Sequence, residues 1–378
     1  MAFRVLLVGG GSGGHAFPLV AVAQSLRAMG QARGVNAELL LFGQKGFLNT
    51  AAREHHIAFK NILAPKFRRY FSLLNLWDLV KAPFALAQSL WHIFWFMPDV
   101  VFSKGGYDSV MPVFVAWLYR IPVFVHESDI VPGFANRISA AFARLVFISF
   151  AGTARHFPGK TTMLVGNPVR KDLLTGDIVA ALEYFKLRPG IRTILVLGGS
   201  QGAQEINTIM VASLVMLTNS YQVIHQCGTS QYGVVKSQTD QLIHDGKASF
   251  GPGLQDRYRL FSFLDAKELT LAYTLADMVI SRAGAGSLSE IAVLGKPAIV
   301  VPIAESAGNH QLLNAQEFAK FGGIVVEGAN MTPHILINQI QALFEPTRYA
   351  AVSQRIREFA KPQAADMIAQ TLLDGAHH

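Results

Sequence analysis

Cysteine is nearly absent: Cys227 is the only one in 378 residues. No disulfide can close within the chain, and no set of thiolates exists to cage a metal. Charge is also sparse, with Asp, Glu, Lys and Arg making up 15% of the chain against 51% hydrophobic residues. A chain this apolar and this long is built for large cores rather than disorder, and its length favours two domains. There is no Asp-x-Asp pair, and no His, Cys and carboxylate set has metal-ligand spacing. No zinc-finger spacing or RNA-binding aromatic signature is present, which makes nucleic acid the weakest candidate partner. Short-period repeats and low-complexity tracts are missing. No charged-then-apolar leader precedes the first strand, so the expectation is a cytoplasmic protein.

What the chain does have is a glycine-lined turn opened twice. Gly9-Gly10-Gly11-Ser12-Gly13-Gly14-His15 follows the apolar run Val5-Leu6-Leu7-Val8, and Gly198-Gly199-Ser200-Gln201-Gly202-Ala203 follows Ile194-Leu195-Val196-Leu197. Each reads as buried strand, bare turn and helix, which aims backbone N–H groups at an anion. Two such turns imply two similar α/β domains with a ligand between them. Neither turn is a P-loop, because no Gly-Lys-Ser/Thr follows. The first matches the dinucleotide fingerprint Gly9-x-Gly11-x-x-Gly14, but the second strand ends Leu41-Phe42-Gly43-Gln44, without the acid that holds ribose hydroxyls in nicotinamide sites.

Apolar runs at residues 5–8, 39–42, 100–103, 122–126 and 145–149 alternate with helical patterns such as 17–29, closed by Gly30. The second half repeats the scheme at 193–197, 222–226, 278–281 and 298–301, with helices near 205–217, 287–294 and 310–320. This alternation implies doubly wound parallel sheets. Gly166-Asn167-Pro168-Val169-Arg170 reads as the hinge. The expected domains are 1–165 and 166–354, with a C-terminal helix at about 355–376 packing back on the first. Basic residues are concentrated early: residues 1–165 hold 16 Lys/Arg against 7 Asp/Glu, and the remainder holds 17 against 18. An anionic lipid surface or an acidic substrate would suit that asymmetry.

The segment 66–97 interleaves basic and aromatic residues: Lys66, Arg68, Arg69, Tyr70, then Trp77, Phe84, Trp91, Phe94, Trp95 and Phe96. Its longest charge-free piece, 82–97, falls short of the roughly 20 residues a spanning helix needs. Residues 82–97 read equally as a core-facing helix or an interfacial one, whereas 66–74 favours contact with a headgroup region.

Several strand-end groups carry chemistry. His15 stands at the mouth of the first turn, where a neutral imidazole could take a proton from a hydroxyl nucleophile; Pro18 suits the first turn of the helix that follows. Glu127, in His126-Glu127-Ser128-Asp129, is a second candidate base or the orienter of one. Lys104-Gly105-Gly106-Tyr107 could line an acceptor pocket. In Ser281-Arg282-Ala283-Gly284-Ala285-Gly286-Ser287-Leu288-Ser289-Glu290, small residues admit a ligand, Ser287 and Ser289 could cap a helix, and Glu290 could hold both ribose hydroxyls. Asn309-His310-Gln311 and Asn314 open a further helix.

Together these motifs, with Gly166-Asn167-Pro168-Val169-Arg170 and Gln311-x-x-Asn314-Ala315, closely resemble the bacterial lipid-linked peptidoglycan N-acetylglucosaminyltransferases of glycosyltransferase family 28. The resemblance runs from about Val5 to Gly323. It implies a GT-B fold, two Rossmann-like domains facing an interdomain cleft, and inverting chemistry that needs no cofactor and no metal. It implies transfer of GlcNAc from UDP-GlcNAc to the C4 hydroxyl of MurNAc in undecaprenyl-pyrophosphoryl-MurNAc-pentapeptide (lipid I), giving lipid II. By resemblance Leu264 lies beside the uracil and Glu290 on the ribose. Ser200, Gln201, Arg282, Ala285, Gly286, Ser287, Leu288 and Ser289 line the donor, Gln311 contacts the sugar, and Arg170 lies at the interdomain donor site. Ser12, Gly13 and Gly14 close over the donor, Tyr107, Asp129 and Asn136 join the substrate contacts, and His15 or Glu127 is the base. A peripheral position on the cytoplasmic face of the membrane, anionic lipid and cell-wall synthesis proteins as partners are also implied. The chain departs from the family pattern at Asp108, at Ser128-Asp129, at Ala283 and at Gly286. A sugar-nucleotide epimerase, a transferase with another acceptor and a silent UDP-sugar sensor remain as alternatives.

Overall fold

The computed structural model describes residues 2–11, 13–65, 73–199, 202–246, 253–303 and 309–375. The chain divides into two compact units, one of residues 1–170 and 361–378, the other of residues 171–360. The division falls after Arg170 rather than after residue 165. The helix Pro346–Phe359 lies in the second unit, so the returning segment starts at Lys361 rather than near residue 355.

The first unit is a parallel sheet of seven strands: β1 (Ala2–Val8), β2 (Asn36–Gly43), β3 (Ala58–Asn61), β4 (Val100–Ser103), β5 (Val123–Glu127), β6 (Leu145–Ile148) and β7 (Thr162–Leu164), in the order β3-β2-β1-β4-β5-β6-β7. Successive residues of β1 feed opposite faces. Val5 and Leu7 pack with Leu19, Val22, Leu26 and Phe102, while Leu6 and Val8 pack with Phe42, Val101, Val113 and Val125. Burial of both faces explains the unbroken apolar runs. The C-terminal helix Ala364–Gly375 completes the first of these faces through Ala365, Ile368 and Leu372.

The second unit is a parallel sheet of six strands: β8 (Thr193–Leu197), β9 (Gln222–Gln226), β10 (Tyr258–Phe261), β11 (Ala276–Ser281), β12 (Ala298–Val300) and β13 (Ile324–Val325), in the order β10-β9-β8-β11-β12-β13. Ile194, Val196, Met278 and Ile280 pack with Ile206, Met210, Leu214 and Ile340 on one side.

Two local expectations change. The first helix runs Gly13–Ala32, so Gly30 lies inside it and Pro18 is its sixth residue rather than part of its first turn. Gly30 is kept small by packing: a Cβ there would stand 2.8 Å from the Val35 carbonyl oxygen. Residues 82–96 lie in the helix Leu73–Phe96, which packs one face on the core through Ile93, Leu86 and Leu90. Its small residues Ala85 and Ser89, with Ile93, are buried, while Phe84 (64% exposed), Trp91 (63%), Phe94 (55%) and Trp95 (66%) face outward. No helix among the described residues is long and apolar enough to cross a membrane.

Candidate active site

In each sheet the strand order reverses once, between β1 and β4 and between β8 and β11. Crevices at the carboxyl ends of such strands are where doubly wound sheets bind ligands. The registers Val8↔Ser103 and Leu197↔Ser281 bring both glycine-rich turns to these points.

In the first unit the two glycine segments interlock. Gly10 N–H donates to the Gly105 carbonyl at 3.0 Å. Gly106, at φ +92°, lies so close that a Cβ on it would stand 2.9 Å from Gly10 Cα, and a Cβ on Gly10 would stand 3.0 Å from His15 Nδ1. Glycine at both positions therefore seats the His15 ring against bare backbone. Gly13 and Gly14 form the first residues of the same helix; Ser12 lies outside the described residues. Burial, and to a lesser degree the nearby Lys104 ammonium, pull the His15 imidazole down to about 4. Its ring keeps some access to solvent and is neutral at physiological pH.

Lys104 is 1% exposed. Its ammonium hydrogen-bonds the Ser128 hydroxyl, and burial pulls it down to about 8 against the opposing pull of Glu127 and Asp129. Glu127 is saturated with donors: Oε1 accepts from Asp129 N (2.9 Å), and Oε2 from Gly133 N (3.1 Å) and Asn136 Nδ2 (2.8 Å). Burial, then repulsion from Asp129, push its carboxyl up, while the donated hydrogen bonds and Lys104 oppose them. Glu127 thus moors the 128–133 loop. Asn136 is likewise committed inward, bonding Glu127 and the His126 carbonyl and packing against Gly105. His126 Nε2 donates to the Gly166 carbonyl at 2.8 Å, and burial holds its ring neutral. Tyr107 is 36% exposed beside this cluster, and Asp108 accepts from Gln44 N, tying the end of β2 to the unit. Arg170 is buried, its guanidinium 4.3 Å from the centre of the Phe17 ring. Lys104, expected only to help line an acceptor pocket, is instead a buried cation within reach of Ser128.

In the second unit Gly284 caps the helix Ala285–Leu294 with no side-chain cap. Ser287 and Ser289 are therefore inside the helix rather than at its cap, and Ser289 Oγ donates back to the Ala285 carbonyl at 2.8 Å. The N–H groups of Ala285, Gly286 and Ser287 open the helix without an intrahelical acceptor. Leu288 is buried. Glu290 lies past the first turn, 8% exposed, and its Oε2 accepts from Tyr273 OH at 3.1 Å. Burial lowers the Arg282 guanidinium, with Glu205 opposing. Gln311 Oε1 accepts from Ile303 N, and Asn314 Nδ2 donates to the Ala283 carbonyl, so this helix start braces the loops after β11 and β12. Leu264 is 1% exposed and its N–H donates to Gln226 Oε1 at 3.1 Å. Ser200 and Gln201 lie outside the described residues. Among the described residues no three His, Cys, Asp or Glu converge to hold a metal ion.

Parallel sheets with glycine-rich turns at their switch points are the architecture of nucleotide-binding α/β domains, and the sequence assigns the family. The glycosyltransferase family 28 N-terminal domain matches residues 5–148 and the family 28 C-terminal domain residues 193–370. The chain belongs to glycosyltransferase family 28. It is 33% identical over 382 residues, 99% of each chain, to the UDP-N-acetylglucosamine--N-acetylmuramyl-(pentapeptide) pyrophosphoryl-undecaprenol N-acetylglucosamine transferase of Halothermothrix orenii. It is 33% identical over 380 residues to the Legionella pneumophila (strain Paris) protein of the same name, covering 100% of this chain and 98% of that one. Its fold is shared with the crystal structure of Acinetobacter baumannii MurG, at a TM-score of 0.70 and 24% identity, over 98% of this chain and 99% of that one.

Proposed function

We propose that this protein transfers N-acetylglucosamine from UDP-GlcNAc to the MurNAc C4 hydroxyl of lipid I, forming lipid II. The observation that carries the reading is full-length similarity to transferases so named, joined to a neutral histidine seated on the first glycine turn. The acceptor oxygen attacks the sugar's anomeric carbon from the face opposite UDP. The C1–oxygen bond to the diphosphate breaks as the new β bond forms, and the hydroxyl proton passes to the His15 imidazole. His15 is preferred to Glu127 as base because both Glu127 oxygens already accept two or more backbone or amide donors between them. Charge developing on the departing diphosphate is met by the uncapped N–H groups at Ala285, Gly286 and Ser287, without a metal. Glu290, held by Tyr273, accepts the ribose hydroxyls, and Leu264 borders the base.

A turnover assay with a lipid I analogue and UDP-GlcNAc tests this. Disaccharide product is expected; conversion of UDP-GlcNAc without acceptor would indicate an epimerase, and binding without turnover a sensor.

The same protein rests peripherally on the cytoplasmic face of the membrane through its first unit. Phe84, Trp91, Phe94 and Trp95 are exposed on one helix, and Trp117, Leu118 and Tyr119 are exposed on the next, joined to it by Tyr119 OH donating to the Leu90 carbonyl. An exposed aromatic surface of this kind suits a headgroup region. The basic residues Lys66, Arg68 and Arg69 lie outside the described residues. Binding to anionic vesicles is expected to be salt-sensitive, weakened when those three are neutralised and weakened further by Trp91→Ser with Trp95→Ser. Equal binding by all variants would count against it.

A further inference from the structure

We propose that His126 is a positioning residue for the proton transfer: by holding the Gly166 carbonyl it seats Arg170 on Phe17, and so fixes the glycine-started turn that carries His15. The inference rests on the reading of His15 as the base of a transferase.

His126 lies one residue before the end of β5, and its side chain is fully buried. A polar ring in that setting is costly unless it is bonded. Its Nε2 donates to the Gly166 carbonyl at 2.8 Å, and its ring lies tilted against that of Phe102, with centres 6.5 Å apart. Gly166 is a junction. Its N–H and that of Val165 both donate to the Ile148 carbonyl, at 3.2 and 3.0 Å, and a Cβ on it would collide with the Lys361 side chain. The segment that leaves the first unit after Arg170 and the segment that re-enters it at Lys361 therefore touch at the residue His126 holds.

Four residues beyond Gly166, the buried Arg170 sets its guanidinium 4.3 Å from the centre of the Phe17 ring. The same ring meets Phe47 edge to face, with centres 5.0 Å apart. Phe17 stands two residues after His15 on the helix Gly13–Ala32, whose first two residues are glycines. Glycine favours a helix less than any residue except proline, so this start has little to hold it from within. Phe17, gripped by Phe47 and Arg170, holds it from outside, and a cation over an aromatic face binds most strongly where water is excluded. The Gly10 backbone seats the His15 ring itself. A base must stand within hydrogen-bond reach of the proton it takes, so a shift of about 1 Å at this turn is enough to slow the step.

Steady-state kinetics of the full chain with UDP-GlcNAc and a lipid I analogue tests the proposal, using His126→Met and His126→Gln, each alone and combined with His15→Ala. His126→Met keeps the buried bulk but removes the donor. Its kcat should fall by about tenfold or more, with KM for UDP-GlcNAc changed by less than about twofold. The Gln amide can reach the Gly166 carbonyl, so His126→Gln should recover most of that loss. Once His15 is replaced there is no base to misplace, and adding His126→Met should then cost less than about twofold. Equal losses with and without His15 show a merely structural role and overturn the proposal, as does a folded His126→Gln as slow as His126→Met. If His126→Met does not fold, Phe17→Leu decides, because it breaks the same path at its other end: it should slow the wild type and not His15→Ala. Unchanged kcat in folded His126→Met overturns the proposal and leaves the transferase reading intact. If His15→Ala alone leaves turnover unchanged, the proposal falls with the base. Absence of turnover in the wild type overturns the transferase reading as well.

Discussion

At the switch point of the first sheet, Gly9 and Lys104 follow the paired strand ends Val8 and Ser103; at that of the second, Gly198 and Arg282 follow Leu197 and Ser281. The topological positions correspond, but they are furnished differently. Around the first, burial and neighbouring charges shift the ionisation of His15, Lys104 and Glu127. Around the second, the resources are backbone N–H groups, small residues and one tyrosine-held carboxylate. The same topology is thus furnished with titratable groups in one unit and with backbone donors suited to an anion in the other.

The sharpest way to break that division is His15→Ala. Turnover should fall by about 10²–10⁴-fold, the usual contribution of a general base, while calorimetry shows UDP binding little changed. Unchanged turnover would remove His15 as base. The pH dependence carries a sign. Because the His15 pKa is depressed to about 4, the basic form persists below the usual imidazole range, so the acid limb of kcat/KM attributable to His15 should lie well below pH 6.5. Lys104→Met removes a positive neighbour and should move that limb toward higher pH.

Lys104→Met should also be the most damaging of these changes to stability. It removes the donor to the Ser128 hydroxyl and the cation that opposes the burial of Glu127, a loss of about 1 kcal/mol. Denaturant unfolding of Lys104→Met, Glu127→Gln and the double variant should show the double costing less than the sum of the singles. Strict additivity would mean that the two groups do not compensate one another.

The strands visible in the sequence and those missed differ for one physical reason. Residues 5–8, 100–103, 193–197 and 222–226 read as strands because both faces are buried and every position is apolar or compactly packed. The strands not foreseen, β3, β7, β10 and β13, are the four sheet edges. With one side open, β3, β7 and β10 carry residues such as Lys60, Asn61, Thr162 and Arg259, and β13 is only the two residues Ile324–Val325, too short to stand out. The candidate site shows the same limit. The glycine turns, His15 and Glu290 were legible as motifs. The bonding of Glu127 to Gly133 and Asn136, the interlock of Gly10 with Gly106, and the hold of His126 on Gly166 arise from contacts between strand ends that no local pattern encodes. The helix 73–96 stayed open for a different reason: an apolar surface turned outward has the same composition as one turned inward, and the buried positions Ala85, Ser89 and Ile93 show which face is which.

A smaller effect probes the second unit. Glu290→Gln keeps an acceptor for Tyr273 but removes the carboxylate's second charged oxygen. The Michaelis constant for UDP-GlcNAc should rise by about tenfold, with kcat little altered, as expected for lost binding that is equal in ground and transition states. A fall in kcat with unchanged KM would place Glu290 in the chemistry and blur the contrast between the units.

The smallest effects concern the helix Ala364–Gly375, which belongs to the first unit although it closes the chain. Two polar ties bind it to the helix Gly13–Ala32 and the residue after it: Ser25 Oγ to Asp366 Oδ1 at 2.6 Å, and Arg33 to Asp374 at 2.6 Å. Length does not distinguish them, but environment does. Ser25 is fully buried, so Ser25→Ala leaves the Asp366 carboxylate short of a donor and should cost about 1 kcal/mol. Arg33 and Asp374 are 42% and 55% exposed, so water and salt screen the pair, and Arg33→Ala should cost no more than about 0.5 kcal/mol. Hydrogen exchange read unit by unit gives the test its direction. Ser25→Ala should lower protection in residues 2–170 and leave the strands of residues 193–300 unchanged, because the helix it releases packs in the core of the first sheet alone. Equal loss in both units would mean that they unfold together and that the separation of their tasks does not extend to their stability.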